Sequence, residues 1–324
     1  MIPHDATIYV AGHAGLIGSA VVRRLERDGH RTPITRQRSE VDLRDARQVT
    51  EFFEEVHPEY VILAAGRVGG IMENQTCPAD FMDENIAIQL NVLMAARRAG
   101  VQRLILFGSS CMYPRECSQP MAEHALLSGK PEPTSLPYAI SKLAGTYLCL
   151  AYNKQDHATR FIPVIPNSAY GPHDNFDPKS AHVLSALMAR FHQAKVSGAE
   201  SVALWGSGSP RREFIHADDI ADACVHLMSQ DELAVELPLN IGVGQDVSIK
   251  ELAEMIAHVV GYRGELEWDL TKPDGAPRKL LDSARIQSLG WKPHIGLAEG
   301  LAETYRWYVR QVETATGSMP EVRR

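Results

Sequence analysis

No stretch of this 324-residue chain approaches the ~20 consecutive apolar residues that a membrane span needs. Excess positive charge is missing too: 33 Lys and Arg stand against 40 Asp and Glu, a net charge of −7. That balance argues against nucleic acid or an anionic membrane as the main partner, although an anionic small ligand needs only local positive charge. Cysteine is sparse: Cys77, Cys111, Cys117, Cys149 and Cys224 are scattered, odd in number and without C-x-x-C spacing. They read as free thiols in a reducing compartment, and no metal site is expected. The N-terminal MIPHDATIYV lacks a basic segment followed by a signal-type apolar core, so a cytoplasmic location is expected. Internal repeats and low-complexity tracts are absent. What remains, 44% hydrophobic and 23% charged residues, is the make-up of a globular protein long enough for two lobes.

The stretch Thr7–Arg27, TIYVAGHAGLIGSAVVRRLER, organises the rest. A short apolar run, Ile8–Ala11, predicts a buried strand. Gly12, Gly15 and Gly18 follow as G-x-x-G-x-x-G, and then Leu16, Ile17, Ala20, Val21 and Leu25 take the 3–4 spacing of a packed helix face. Strand, glycine turn and helix make a dinucleotide cradle. Gly12 permits the tight turn, Gly15 lets backbone N–H groups approach a pyrophosphate, and Gly18 lets the helix lie close on the strand. The positive end of the helix dipole then faces the phosphates.

A second strand is predicted at Arg31–Thr35. An acidic residue about 20 positions past the glycine turn would bind the ribose 2′-hydroxyl of NAD. Here Arg36 and Arg38 stand instead, which suit the 2′-phosphate of NADP or form a solvated basic turn. Asp42 and Leu43 carry the adenine edge or start the next turn. A helix at Gln48–Val56, a strand at Tyr60–Ala64 and the small residues Ala64, Ala65 and Gly66 lead to a glycine-rich loop, Arg67–Ile71. A helix at Phe81–Ala99 and a strand at Arg103–Phe107 follow. This alternation predicts an α/β protein with a parallel, doubly wound sheet.

Gly108, Ser109, Ser110 and Cys111 close that strand, where catalysis in this architecture lies. Ser109 can equally be a turn hydroxyl, and Cys111 a small buried hydrophobe. The loop Arg115–Leu136 is expected to cover the site. A helix at Pro137–Tyr152 carries Tyr138 and Lys142 on one face. The lysine charge would lower the tyrosine pKa and make it a workable acid/base. Beyond a strand at Arg160–Pro166, helices are predicted at His182–Lys195, Ile220–Met228, Ile249–Val260 (capped by Ser248), Asp282–Leu289 and Leu297–Val312. Strands are predicted at Val202–Trp205 and Pro238–Ile241, and Lys272–Leu281 reads as a basic, proline-interrupted loop. His182 is a second-site acid or a capping residue. The last twelve residues are expected to fray.

With Gly12-x-x-Gly15-x-x-Gly18, Ser109, Tyr138-x-x-x-Lys142 and Arg212-Glu213-Phe214-x-His216-x-Asp218-Asp219 in order, the chain resembles the extended short-chain dehydrogenase/reductases acting on nucleotide sugars. AAGRVGGI, GSSCMYP, YGPHDNFDP, WGSGSPRREF and KPDGAPRKLLD place it nearest the GDP-4-keto-6-deoxymannose 3,5-epimerase/4-reductases of that group. The resemblance implies NADP(H) as cofactor, a GDP-sugar as substrate and a homodimer built on the helices Phe81–Ala99 and Pro137–Tyr152. It implies a Rossmann domain over residues 1–170, rejoined by about 211–245, and a smaller α/β substrate lobe over 171–324. Ser109, Tyr138 and Lys142 would form the reductase triad, with Cys111 and His182 as base and acid of epimerisation. Cofactor contacts would come from Gly12, His13, Ala14, Gly15, Leu16, Ile17, Gly18, Arg36, Arg38, Asp42, Leu43, Ala64, Ala65, Gly66, Phe107, Gly108, Tyr138, Lys142, Pro166, Asn167, Ser168, Ala169 and His182. Substrate contacts would come from Val68, Ser109, Ser110, Cys111, Arg190, Trp205, Arg212, Asp274 and Lys279. The family usually has a basic residue where this chain has Ala14, and its P-T-N-L-Y-G-P is here Pro166-Asn167-Ser168-Ala169-Tyr170-Gly171-Pro172. Alternatives within the class are a related GDP-sugar epimerase/reductase of colitose or deoxyheptose type and a redox-neutral 4-epimerase. A dinucleotide-binding regulator is the alternative outside it.

Overall fold

Runs that are apolar on both faces cannot sit at a surface, and here they build the centre of a computed structural model describing residues 1–158, 160–177, 180–272 and 274–316. In chain order the first half holds β1 (Ile8–Ala11), α1 (Leu16–Arg27), α2 (Ala46–Val56), β2 (Tyr60–Leu63), α3 (Ile71–Thr76), α4 (Pro78–Ala99), β3 (Arg103–Phe107), α5 (Leu136–Asp156), β4 (Phe161–Pro166) and β5 (Ser168–Tyr170). The second half holds α6 (Val183–Ser197), β6 (Ser201–Trp205), β7 (Arg211–Arg212), β8 (Phe214–His216), α7 (Ala217–Met228), β9 (Leu239–Ile241), β10 (Val247–Ser248), α8 (Ile249–Val260), β11 (Glu265–Asp269), β12 (Arg278–Lys279), α9 (Ala284–Ser288) and α10 (Leu297–Thr316).

The main sheet runs β1-β2-β3-β4-β9, all parallel. Successive strand residues point to opposite faces, and the core divides accordingly. Ile8, Val10, Ile62, Ile105 and Val164 pack with α1 and α7. Tyr9, Ala11, Val61, Leu63, Leu104 and Leu106 pack with α2 and α4, joined by Cys149 of α5. The sheet is thus covered on both sides, as the doubly wound reading requires. Three smaller sheets stand apart: β10-β7-β12, β11-β6 and β5-β8.

Several local expectations change, among them β12, which lies inside the segment Lys272–Leu281 read as a loop. The strand predicted at Arg31–Thr35 shrinks to one bridge, Ile34 with Tyr9, through hydrogen bonds from Val10 N–H to Ile34 O and from Ile34 N–H to Ile8 O. Pro33 fixes φ near about −65°, far from the parallel-strand value of about −120°. β11 was not expected, because Glu265, Glu267 and Asp269 make it read as a solvated run; it pairs in parallel with β6 along one half-exposed ribbon. The frayed tail is helical through Thr316, and 317–324 lie outside the described residues.

The long loop after β3 is pinned by Asn240 of β9, which is fully buried. Its amide donates to Met121 O and Asp282 O, its side-chain oxygen accepts from Tyr113 Oη at 2.7 Å, and its N–H donates to Glu123. Asn240→Ala takes a partner from the Tyr113 phenol and the Asp282 carbonyl, while Met121 O keeps its bond from Asp282 N–H. The expected cost is about 2–4 kcal/mol, read as a lower urea midpoint with faster proteolysis within 115–135.

Candidate active site

Every strand of a parallel sheet ends at the same edge, and there the chain places its small and polar residues. After β1, Gly12 adopts φ of +80°, and a Cβ on it would lie 2.6 Å from Ala65 N. A Cβ on Gly18 would lie 2.1 Å from Gly12 O. The turn, the end of β2 and the start of α1 therefore lock together only because two residues have no side chain. Gly15 is the N-cap of α1, with no side-chain cap and no acidic residue in the first turn. Its free N–H groups and exposed Ala14 and Gly15 are the anion-receiving end of the helix. Leu16 and Ile17 pack against the core behind it.

Beside this cradle, His13 Nε2 lies 3.2 Å from Gln37 Nε2, joining the glycine turn to the arginine turn. Arg36 lies over Phe52 and donates to Thr35 O. Arg38 is exposed, with Asp42 at 3.8 Å and Glu84 at 3.6 Å. Asp42 is engaged by Arg44, whose hydrogen bonds hold its pKa down at about 2, and Leu43 belongs to the core. The residues fit a dinucleotide with a 2′-phosphate: a cradle that a Cβ would fill, an uncapped helix start and loosely held arginines beyond it.

At the end of β3, Ser109 caps a short 3₁₀ turn, its hydroxyl accepting from Cys111 N–H at 3.2 Å. Phe107 is core, and Gly108 leaves room for Met112. From α5, Tyr138 hydrogen-bonds Ser109 and meets Phe81 edge-on at 6.0 Å between ring centroids. Lys142 Nζ lies 5.9 Å from the Tyr138 ring centroid, and a Cβ on Gly66 would lie 3.4 Å from it. Lys142 is 5% exposed, and no carboxylate pairs with it among the described residues. Burial holds its pKa down at about 8. Burial likewise pushes Tyr138 above the ordinary phenol range; Cys111 adds to the rise and Ser109 opposes it. The expected lowering of Tyr138 by Lys142 is not seen, because desolvation outweighs a distant charge. Tyr138 is instead a protonated donor.

Cys111 faces two cations. Lys279 Nζ lies 3.9 Å from its sulfur, and Arg212, whose charge burial disfavours, is supported electrostatically by the same thiol. A second group lies further along the same loop. Trp205 is exposed with Lys272 Nζ 5.6 Å from its ring centroid, and Asp274 accepts from Ser207 N–H and Oγ. Arg190 donates to Ala203 O on β6. The loop from Asp274 to Lys279 connects this group to the thiol, passing Arg212 at Gly275.

Other residues sit differently. His182 is the exposed N-cap of α6 beside Asp174, and no hydrogen bond or ring contact joins it to Cys111 or Tyr138 among the described residues. The segment before it touches Gly70 of the glycine loop, which carries exposed Val68. Pro166 ends β4, Ser168 and Ala169 lie in β5, and Asn167 is buried, donating to Glu213 at 2.6 Å. Ser110 lines a small pocket with Cys111 and Lys279. His216, Asp218 and Asp219 are structural: His216 caps α7, Asp218 pairs with Arg23, and Asp219 accepts from His294 and Ile295 N–H. Sequence reasoning missed Asn85, which holds Arg67 through its N–H and C=O, and Glu213, a fully buried carboxylate bonded to Asn167, Gly244 and Leu281. Glu213 sat inside a quoted motif; Asn85 gave no signal.

Residues 8–242 match the model of the NAD dependent epimerase/dehydratase family. The chain is 51% identical over 312 residues to GDP-L-fucose synthase 1 of Arabidopsis thaliana, covering 96% of each. The chain belongs to the NAD dependent epimerase/dehydratase family. Among solved structures, a GDP-6-OMe-4-keto-L-xylo-heptose reductase from C. jejuni matches with TM-score 0.90 and 35% identity, over 96% of this chain and 99% of that one. A GDP-L-fucose synthetase from Naegleria fowleri bound to NADP matches with TM-score 0.88 and 27% identity, over 97% of each chain. Within this family fold, the buried Lys142 has a consequence for stability. Its folded pKa lies below the ordinary 10.5, so the unfolded chain binds the proton more tightly. The penalty, about 3 kcal/mol, is complete below about pH 8 and fades toward 10.5. Lys142→Met is therefore expected to be more stable than the parent at pH 7, with the gap closing as pH rises to about 10.5. Denaturant titrations of both across that range check it.

Proposed function

We propose that this protein is an NADPH-dependent 3,5-epimerase/4-reductase that converts GDP-4-keto-6-deoxymannose to GDP-L-fucose. The observation that carries the reading is the convergence of Ser109, Tyr138, Cys111, Arg212 and Lys279 at the carboxyl edge of the sheet, beside the glycine cradle. Relatives named GDP-L-fucose synthase, 51% identical in Arabidopsis thaliana and 47% in Escherichia coli, supply the substrate class.

A C4 ketone acidifies the hydrogens on C3 and C5 because the carbanion spreads onto O4. Cys111 takes a proton from one face; cations beside a sulfur favour the thiolate that can do so. His182, on an exposed helix start, returns a proton from the other face. Ser109 and Tyr138 donate hydrogen bonds to O4 and stabilise its growing charge. NADPH, when bound, supplies the hydride to C4. Tyr138, which burial keeps protonated, then gives its proton to O4. Lys142 holds ribose hydroxyls, Gly12–Gly18 the pyrophosphate, and Arg36 and Arg38 the 2′-phosphate. Arg190, Trp205, Arg212, Asp274 and Lys279 hold the nucleotide diphosphate, with Val68 and Ser110 at the sugar.

We assign the cofactor to residues 1–170 with about 211–245, and the sugar nucleotide mainly to 171–324. A homodimer through α4 and α5 is supported by Leu90 and Ile140, both exposed on those helices. No described helix is long and apolar enough to cross a membrane, and we take the enzyme to work in the cytoplasm.

NADPH absorbance is expected to fall when GDP-4-keto-6-deoxymannose is added, with GDP-L-fucose as the product by NMR. Cys111→Ser should cut solvent-deuterium uptake at C3 and C5 by about 10²-fold or more, while a pre-epimerised ketone is still reduced. Tyr138→Phe should lose about 10²–10⁴-fold in hydride transfer. Equal loss of both activities in the two variants would dismiss the division of labour.

A further inference from the structure

The cations at Cys111 are delivered by a sheet whose strands are only two residues long. β7 and β12 pair in parallel, with Arg211 opposite Arg278 and Arg212 opposite Lys279. β10 pairs antiparallel on the other side of β7. Two like-charged pairs directly across one ladder oppose its formation. Neighbouring residues on a strand face opposite ways. Lys279 reaches the thiol and Arg212 lies within its electrostatic range, while the guanidiniums of Arg211 and Arg278 engage Asp246. On that outer side stands Asp246, its side chain 5% exposed. One carboxylate oxygen accepts from Arg211 Nε at 2.6 Å and the other from Arg278 Nε; its backbone carbonyl also accepts from Arg211 Nη2 at 2.9 Å. The inner pair has no carboxylate among the described residues.

Resting on the reading of Cys111 as the epimerisation base, we propose that Asp246 is a positioning residue: it clamps Arg211 and Arg278 so that the paired strands present Arg212 and Lys279 to the Cys111 sulfur. Asp246 bridges both outer arginines, with Glu251 adding a contact to Arg211 alone at 3.3 Å, and the inner repulsion is left for an anion to relieve. That anion is the thiolate or a diphosphate oxygen. The charged and titratable groups around the sulfur among the described residues are Arg212 from β7, Lys279 and Arg278 from β12, Tyr138 from α5, and Arg115 and Glu132 of the loop after β3, which line the same small pocket. Asp246 itself touches neither substrate nor thiol.

The test uses the full chain and iodoacetamide, with alkylation of the Cys111 peptide followed by mass spectrometry from pH 6 to 10. The rate at pH 7, taken as a fraction of its alkaline plateau, is expected to fall three- to tenfold in Asp246→Ala and to be largely restored in Asp246→Glu. Cys77, remote from the clamp, serves as the internal control. An unchanged fraction in a folded Asp246→Ala protein would overturn the proposal. Should that variant fail to fold, Arg278→Ala releases only β12 and should lower the fraction two- to fivefold; no change there overturns it equally. The parent reading fails separately: full deuterium uptake by Cys111→Ser would remove the base assignment without touching the alkylation result.

Discussion

A parallel sheet buried on both faces leaves a chain few options. Each strand must be followed by a crossover, each crossover must cover a face, and each strand must finish at the same edge. In this protein that single constraint gathers the Gly12 turn, the Ala64–Gly66 step, Ser109 with Cys111, and Asn167 along one rim, although 155 positions separate the first from the last. Polar backbone groups freed at the strand ends have no further sheet partner there. Glycines, hydroxyls and a helix start occupy the rim because they tolerate, or use, that unpaired polarity.

Upon this rim, burial and charge are set against each other. Lys142 is a buried cation without a carboxylate partner among the described residues, Tyr138 a phenol that burial holds in its protonated form, and Arg212 a half-buried guanidinium that donates to Arg211 O at 2.8 Å and lies within electrostatic range of a sulfur. Each is unfavourable in isolation. Their unmet interactions match a phosphorylated, carbonyl-bearing ligand. Local rule-breaking at the site contrasts with strict satisfaction around it: Asn240, Glu213 and Asp219 are buried or nearly so and fully engaged.

The motif residues were legible because their geometry is local. The glycine spacing sets a turn and a helix start. Tyr138 and Lys142 share a helix face at i and i+4. Ser109 and Cys111 belong to one turn. The longer helices and the strands of the main sheet were legible for the same reason, since their periodicity is carried by neighbours, whereas α3 and the two- and three-residue strands β5, β7, β10 and β12 were not. β11 hid behind alternating acids, and the strand expected at Arg31–Thr35 was undone by Pro33.

Composition and spacing by themselves determined the fold class and marked out the glycine turn, Ser109 with Cys111, and Tyr138 with Lys142 as candidates, because each depends on residues within a few positions of one another. The tertiary structure alone decided which cations meet the thiol, that Asn167 belongs to Glu213 rather than to an open site, and that Tyr138 is shifted up rather than down. Those outcomes depend on desolvation and on partners far away in the chain. Neither quantity has a local signature: a carboxylate such as Asp246 looks the same in sequence whether it is solvated or holds two arginines in register.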